Sequence, residues 1–309
     1  MPAEELKLES DKSAAAFQAP TQKIIKNSPR LAGFLCATLA LGICFIVPLY
    51  NLLRLALSDD LYSDIPLIPL ISLYLLWMRR ENLPRDFYTS IKPAILFFAA
   101  GSLALGVYWF TSRHGTASIA NYFALLLYFT GICFLFLGET FMRIAAFPVA
   151  LLLFTIPLSD FLRHSLETFL QYGSAMVAGV FFQLSTTPVF QDGLNFYLPN
   201  CTIQVAPECS GIHSTVVLLI TSLVGGWLFL HSPWNRTALA LAVVPLALIR
   251  NGFRIFVIGR LCAAYGPQML ASPIHRHGGP LFFVLSLIPF FLLLIFLRKI
   301  ERPKTLTNK

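Results

Sequence analysis

The chain has 309 residues, of which 56% are hydrophobic and only 12% are charged, and its mean hydropathy is +0.70. A soluble domain of this size would carry about 25% charged residues, so the composition excludes an ordinary soluble protein and indicates a polytopic membrane protein. The net charge of +8 comes from cations clustered beside apolar runs. That distribution follows the positive-inside rule and argues against a nucleic-acid partner.

The first 30 residues are polar and hold five cations, which predicts a cytoplasmic tail with no cleavable signal peptide. A membrane-spanning helix needs about 20 apolar residues. On this basis we expect eight spanning helices, near residues 31–50, 61–78, 93–110, 119–138, 143–158, 210–230, 237–258 and 280–298. The fifth contains Pro148 and Pro157, so we expect it to be broken or tilted.

Residues 160–187 follow a different pattern. Polar side chains recur at steps of four, four and three, which places them on one helical face, namely Arg163, Glu167, Gln171 and Ser174. The opposite face is apolar. The segment therefore predicts an amphipathic helix at the extracytoplasmic surface, with a second half (175–184) apolar enough to enter the bilayer. Whether it crosses the membrane is left open by the pattern.

Charge bias also predicts the topology. The segments before the first span and after the last (299–309) are both rich in cations, so both termini are expected in the cytoplasm, and the number of crossings is even. Residues 188–209 then lie outside the cell. We expect an all-α polytopic membrane protein whose single transmembrane domain covers residues 31–298, with its chemistry in about 188–285.

The stretch "VAPECSGIHS" puts a thiol at the start of the sixth predicted span. The free N–H groups and the positive end of a helix dipole favour a thiolate at Cys209 and can also receive an oxyanion. Gly211 leaves the backbone uncovered for the close approach of a ligand. Cys209 is therefore a candidate nucleophile.

Two further groups are expected at the same depth. In "LIRNGFRIF", Arg254 lies 18 residues beyond Arg236, or roughly 27 Å along a helix, which brings it near the outer boundary. In "SPIHRHGGPLFF", His275 precedes the last span by a few residues. A thiol, a histidine base and an arginine on one membrane face make a workable site for acyl transfer. Arg250, one turn deeper, is either structural or holds a substrate carboxylate.

Several alternatives remain open from the residues alone. His213, one helical turn after Cys209, and His277 are rival bases, and Glu208 can orient a histidine or simply solvate the loop. A disulfide between Cys201 and Cys209 would make both residues structural. The remaining cysteines are expected to be small apolar fillers in helices, namely Cys36, Cys44, Cys133 and Cys262.

Together these stretches resemble the exosortase/archaeosortase family of integral-membrane cysteine transpeptidases. The resemblance covers roughly residues 60–298. It is most specific in three pieces, which are "QDGLNFYLPNCTIQVAPECSGI" with its Cys-Ser-Gly, then Asn-x-x-Arg at Asn251 to Arg254, then His275 followed by Gly279 and two phenylalanines. Their order, spacing and predicted side of the membrane all agree with the family pattern.

The resemblance assigns the catalytic roles to Cys209, Arg254 and His275. Other positions near these motifs are expected to bind or orient the substrate, namely Glu208, Ser210, Gly211, His213, Arg250, Asn251 and Gly279. No metal or organic cofactor is implied.

The implied substrates are secreted proteins with a C-terminal tail made of a short motif such as Pro-Glu-Pro, a membrane helix and a basic end. The enzyme would cleave at the motif and transfer the acyl group to an acceptor, with a membrane lipid or a cell-surface glycan as possible acceptors. The family also implies a prokaryotic plasma membrane with the active site outside.

Two other classes compete with this interpretation. A transporter would also be polytopic with charges inside the membrane, but the chain shows no repeat of one half in the other and no paired broken helices. A non-catalytic membrane partner of a polysaccharide export system is the third class. Processing that depends on Cys209 would separate the enzyme from both.

Overall fold

The computed structural model describes residues 29–84, 86–111, 118–185, 187–199, 201–266, 268 and 279–301. The chain divides into two compact units, with the boundary after Pro157. The helices of the first unit are α1 (Pro29–Cys44), α2 (Ile46–Ser58), α3 (Leu67–Met78), α4 (Ile91–Thr111), α5 (Ser118–Phe136) and α6 (Gly138–Leu151). Helices α4 and α5 form its most extensive helix pair.

Seven helical stretches within the described ranges are long and apolar enough to cross a membrane, and an eighth results if α1 and α2 form one span. These two helices meet at a bend of 71°. Seven of the predicted spans are therefore confirmed as helices of spanning length, while the first corresponds to the bent α1–α2 pair. The chain is an all-α polytopic membrane protein. The proline-containing fifth span is a helix with Pro148 inside it, continued by a 3₁₀ turn over Leu152–Thr155.

The second unit contains the predicted catalytic segment. Its helices are α7 (Asp160–Leu184), α8 (Ile212–Phe229), α9 (Pro233–Leu241), α10 (Val243–Tyr265) and α11 (Gly279–Glu301). Helix α10 is central, because it packs along α7 and also contacts α8 and α11. Helices α9 and α10 together form one apolar stretch of 33 residues. This stretch is longer than the predicted span 237–258.

The extended segment expected before Cys209 forms a small antiparallel sheet. Strands β1 (Phe190–Asp192), β2 (Asn195–Leu198) and β3 (Cys201–Gln204) lie in sequence order. The alternating apolar residues of β2 and β3 point to one face, where Phe196 and Ile203 pack against Phe182 of α7 and Ile258 of α10. The sheet therefore sits on the part of α10 that continues beyond Arg254.

One disulfide corrects the sequence-based view of the cysteines. Cys201, at the start of β3, is bonded to Cys262 on α10, with the two Cα atoms 6.2 Å apart. Cys262 is thus a structural cysteine and not an apolar filler, because the sheet brings β3 against the outer part of α10. Cys209 is not part of this or any other disulfide among the described residues. The disulfide between Cys201 and Cys209 that the sequence left open is absent.

Helix α7 confirms the predicted amphipathic helix, but part of its polar face is turned into the protein. Gln171 and Ser174 are buried, and the Gln171 side-chain amide donates to the main-chain carbonyl of Val205 at 2.9 Å. Buried polar groups are costly unless they are hydrogen-bonded. The polar stripe of α7 therefore supports the segment that leads to Cys209.

Candidate active site

Cys209 ends a 3₁₀ turn, Pro207–Cys209, that connects β3 to α8. We expected it immediately before the following helix, at the helix N-terminus, but α8 begins at Ile212 with Gly211 as its N-cap. The amides of Cys209 and Ser210 donate to the carbonyls of Ala206 and Pro207 at 2.9 and 3.0 Å. The thiol thus precedes the helix by three residues, and its own N–H is not one of the free amides at the helix start.

Position 211 requires glycine for two reasons, its backbone conformation and the lack of room for a Cβ atom. Its φ of 72° is in the left-handed region, which costs other residues roughly 1–2 kcal/mol. A Cβ atom here would lie 3.1 Å from Nη2 of Arg250 and 3.2 Å from Oδ1 of Asn251. Neither Gly211 nor Ile212 donates its N–H to an acceptor in the described part of the chain, so these two amides remain available beside the thiol-bearing turn.

Asn251 connects three segments at this point. Its side-chain nitrogen donates to the carbonyls of Cys209 at 2.8 Å and Ser210 at 3.1 Å, and to the Ser174 hydroxyl of α7 at 3.0 Å. Only 3% of its surface is exposed. The amide of Asn251 thus fixes the turn that carries the thiol against α10 and α7.

Arg254 lies on α10, three residues beyond Asn251. It lines the same small cavity as Cys209, together with Ile203, Gln204, Val205, Asn251, Ile255 and Ile258. The cavity volume is about 20 Å³, which is room for about one water molecule. The structure therefore brings the predicted thiol and the predicted guanidinium to one pocket, as the sequence analysis expected.

Arg250 is a buried cation with few partners. It is 8% exposed, and its Nη2 makes two long contacts, to the Gly211 carbonyl at 3.3 Å and to Thr215 Oγ1 at 3.4 Å. Its Nη1, like the Ser210 hydroxyl, has no hydrogen-bond partner within the described residues. Guanidinium has five donors, so Arg250 retains capacity for an anionic ligand. It also lines a groove of about 280 Å³ between α7, α10 and α11.

The other predicted site residues are placed as follows. His213 is in the first turn of α8 and half-buried, Glu208 belongs to the Cys209 turn, and Gly279 is the first residue of α11. His275 and the rival base His277 lie outside the described residues. Among the described residues, no group of three histidines, cysteines or acids is placed to hold a metal ion.

The supporting roles of Gln171 and Ser174 were not predicted from the sequence. Their spacing predicts only the polar face of an amphipathic helix. A polar face and a face that hydrogen-bonds a neighbouring segment have the same 3.6-residue period, so periodicity cannot distinguish them.

Comparison with known proteins gives a family match. The model of the transmembrane exosortase family matches residues 54–292, which include Cys209, Asn251, Arg254 and His275. Neither the curated proteins nor the solved structures contain a match to this chain. Because the family match covers well over half of the sequence and includes each of the three motifs, the chain belongs to the transmembrane exosortase family.

Proposed function

We propose that this chain is a membrane-embedded cysteine transpeptidase that removes the C-terminal tail of secreted proteins and joins them to a surface acceptor. The observation that carries the proposal is the pocket shared by Cys209 and Arg254. Cys209 is not part of a disulfide among the described residues, and the Asn251 amide holds its main chain against the helix that bears Arg254. Family membership supports the same reaction class.

The first chemical step is acylation of Cys209. His275 takes the thiol proton as the sulfur attacks the scissile carbonyl carbon, and the resulting oxyanion is stabilised by Arg254 and by the free amides of Gly211 and Ile212. Collapse of this intermediate breaks the C–N bond. The proton passes from His275 to the departing amine, which leaves with the membrane tail, and a thioester remains on Cys209.

The second step returns the enzyme to its starting state. A hydroxyl or amine of the acceptor, or water, attacks the thioester and gives its proton to His275, and the Cys209 thiol is released. Candidate acceptors are a membrane lipid and a cell-surface glycan. Neither step requires a metal or an organic cofactor.

The proposed location follows from the positive-inside rule. Both termini are cytoplasmic, and the turn with Cys209 faces the outside of a prokaryotic plasma membrane. A substrate anchored by its own membrane helix presents its cleavage motif at that surface. Anchoring pre-orients the scissile bond and reduces the entropic cost of the reaction.

The experiment is co-expression of a reporter bearing a Pro-Glu-Pro motif, an apolar helix and a basic end with single variants of the chain. Cys209→Ala, Arg254→Ala and His275→Ala are each expected to abolish tail removal, as followed by the mobility of the reporter on a gel. Cys133→Ala, which removes a buried free cysteine elsewhere in the chain, is the matched control and is expected to process normally. Retained processing by Cys209→Ala would refute the proposal.

A further inference from the structure

We infer that the free edge of β3 binds the cleavage segment of the substrate as an added β-strand. The inference rests on the proposed function and deepens it, because it assigns a recognition surface to an extended peptide. In this mode of recognition, main-chain hydrogen bonds supply affinity, and alternate side chains supply specificity.

The register of the sheet shows which backbone groups are free. The Val205 amide donates to the Leu194 carbonyl at 3.0 Å, and β3 continues this pairing, with Gln204 opposite Asn195 and Thr202 opposite Tyr197. Along an antiparallel strand the backbone groups point alternately toward and away from the partner. Val205 points toward β2, so Gln204 and Thr202 direct their N–H and C=O groups to the outer edge.

These outward groups are unused in the described part of the chain. Neither Thr202 nor Gln204 donates its amide to a neighbouring segment, and both residues are exposed. Proteins usually protect a free edge with charged residues or proline. The sequence of β3, Cys-Thr-Ile-Gln, has neither, whereas the opposite edge strand, β1, ends in Asp192.

The edge is also rigid. Cys201 is bonded to Cys262 of α10, and the side chains of Ile203 and Val205 are buried in the core that joins the sheet to α7 and α10. A strand fixed on one face in this way is preorganised, so a peptide that pairs with it does not have to order the receptor first.

The edge leads directly to the candidate nucleophile. Ile203, Gln204 and Val205 line the pocket that also contains Cys209 and Arg254. Four residues of strand cover roughly 13 Å, so a substrate segment of about four residues paired with β3 would reach that pocket. The occupant is thus the extended peptide next to the scissile bond.

Disulfide cross-linking can determine the register of a substrate strand paired with β3. Thr202→Cys and Gln204→Cys are each introduced into the full-length Cys209→Ala protein, and a tailed reporter with single cysteines at eight consecutive positions before its apolar helix is co-expressed. Residues directly opposite in a β-pair have Cβ atoms about 4.5–5.5 Å apart. The expected result is a maximum at one reporter position for Thr202→Cys and at a position two residues away for Gln204→Cys.

Phe190 is a matched control position, because it is aligned with Thr202 across the three strands of the sheet. Phe190 is opposite Tyr197, which is opposite Thr202, and Phe190 is exposed on the far edge strand. Phe190→Cys is expected to give no cross-link. Absence of cross-links from both β3 positions, or the same reporter position for both, would overturn the inference.

A second measurement tests the main-chain bonds on the wild-type nucleophile. Thr202→Pro removes an outward N–H that the ladder does not use, a substitution that edge strands tolerate, whereas Thr202→Val changes only the side chain. The KM for the reporter peptide is expected to be about 10-fold higher in Thr202→Pro than in Thr202→Val, with little difference in kcat. Equal KM values in both variants would overturn the inference while cleavage by the wild type upholds the proposed function. Failure of the wild type to cleave would overturn both.

Discussion

Replacement of Asn251 by alanine is expected to disable the site without removing any group that reacts. The Asn251 side chain holds the carbonyls of Cys209 and Ser210 and the hydroxyl of Ser174, at 2.8, 3.1 and 3.0 Å. These bonds connect α10 to the turn that carries the thiol and to α7. Asn251 is a positioning residue in this account, and Arg254 on the same helix depends on its bonds for its place beside Cys209.

The size of the expected loss in kcat/KM follows from the hydrogen-bond acceptors that lose their donor in Asn251→Ala. Asn251 is 3% exposed, so the two carbonyls lose their donor in a place that water does not freely reach. A buried polar group without a partner costs about 1–3 kcal/mol, and the Ser174 hydroxyl loses the same donor. The arrangement of Cys209 beside Arg254 should therefore be destabilised by roughly 2–4 kcal/mol, which corresponds to a decrease of about 30- to 1,000-fold in kcat/KM.

The assay is steady-state cleavage of a tailed peptide by purified full-length protein in lipid nanodiscs. Asn251→Asp keeps the size of the side chain but turns a carboxylate oxygen toward the carbonyls, so its loss should equal or exceed that of Asn251→Ala. Asn235→Ala is the matched control, because Asn235 donates to Glu301 at 2.9 Å in another part of the second unit. Normal kcat/KM in Asn251→Ala, or an equal loss in Asn235→Ala, would refute the positioning role.

Three other substitutions test the surrounding geometry. Gly211→Ala should reduce kcat about 10-fold or more, because the left-handed conformation and the close Arg250 and Asn251 atoms resist a Cβ; wild-type kinetics and thermal stability would contradict this. Arg250→Met should raise the KM about 10-fold with kcat nearly unchanged if its free guanidinium capacity binds an anionic substrate group, and a lower melting temperature with unchanged KM would indicate a structural role instead. Cys262→Ala should reduce the free energy of unfolding by about 2–4 kcal/mol without altering the labelling of Cys209 by maleimide, and an unchanged denaturation midpoint would argue against the disulfide.

The large features of the fold were predictable because lipid imposes simple rules on sequence. Apolar runs of about 20 residues gave the spans, and the polar stripe of residues 160–187 gave helix α7. Helix rise and charge bias predicted a common depth for Cys209 and Arg254, which line one pocket in the structure. Each of these signals depends on one segment and on the solvent around it.

The features that were missed depend on pairs of distant segments. The span ending at residue 258 was set by bilayer thickness, yet α10 continues to Tyr265, because beyond Arg254 the β-sheet covers one of its faces. That extension places Cys262 opposite Cys201. Likewise, the partners of Gln171 and Ser174 lie 34 and 77 residues away, where no local pattern reveals them.

The central claim is that Cys209 becomes acylated by the substrate. Purified full-length protein is incubated with a tailed peptide in nanodiscs, quenched with acid and digested, and the fragment containing Cys209 is analysed by mass spectrometry. We expect an adduct equal in mass to the N-terminal product, sensitive to hydroxylamine and absent from Cys209→Ala. Cleavage of the peptide by Cys209→Ala, or turnover with no such adduct at Cys209 under rapid quench, would contradict it.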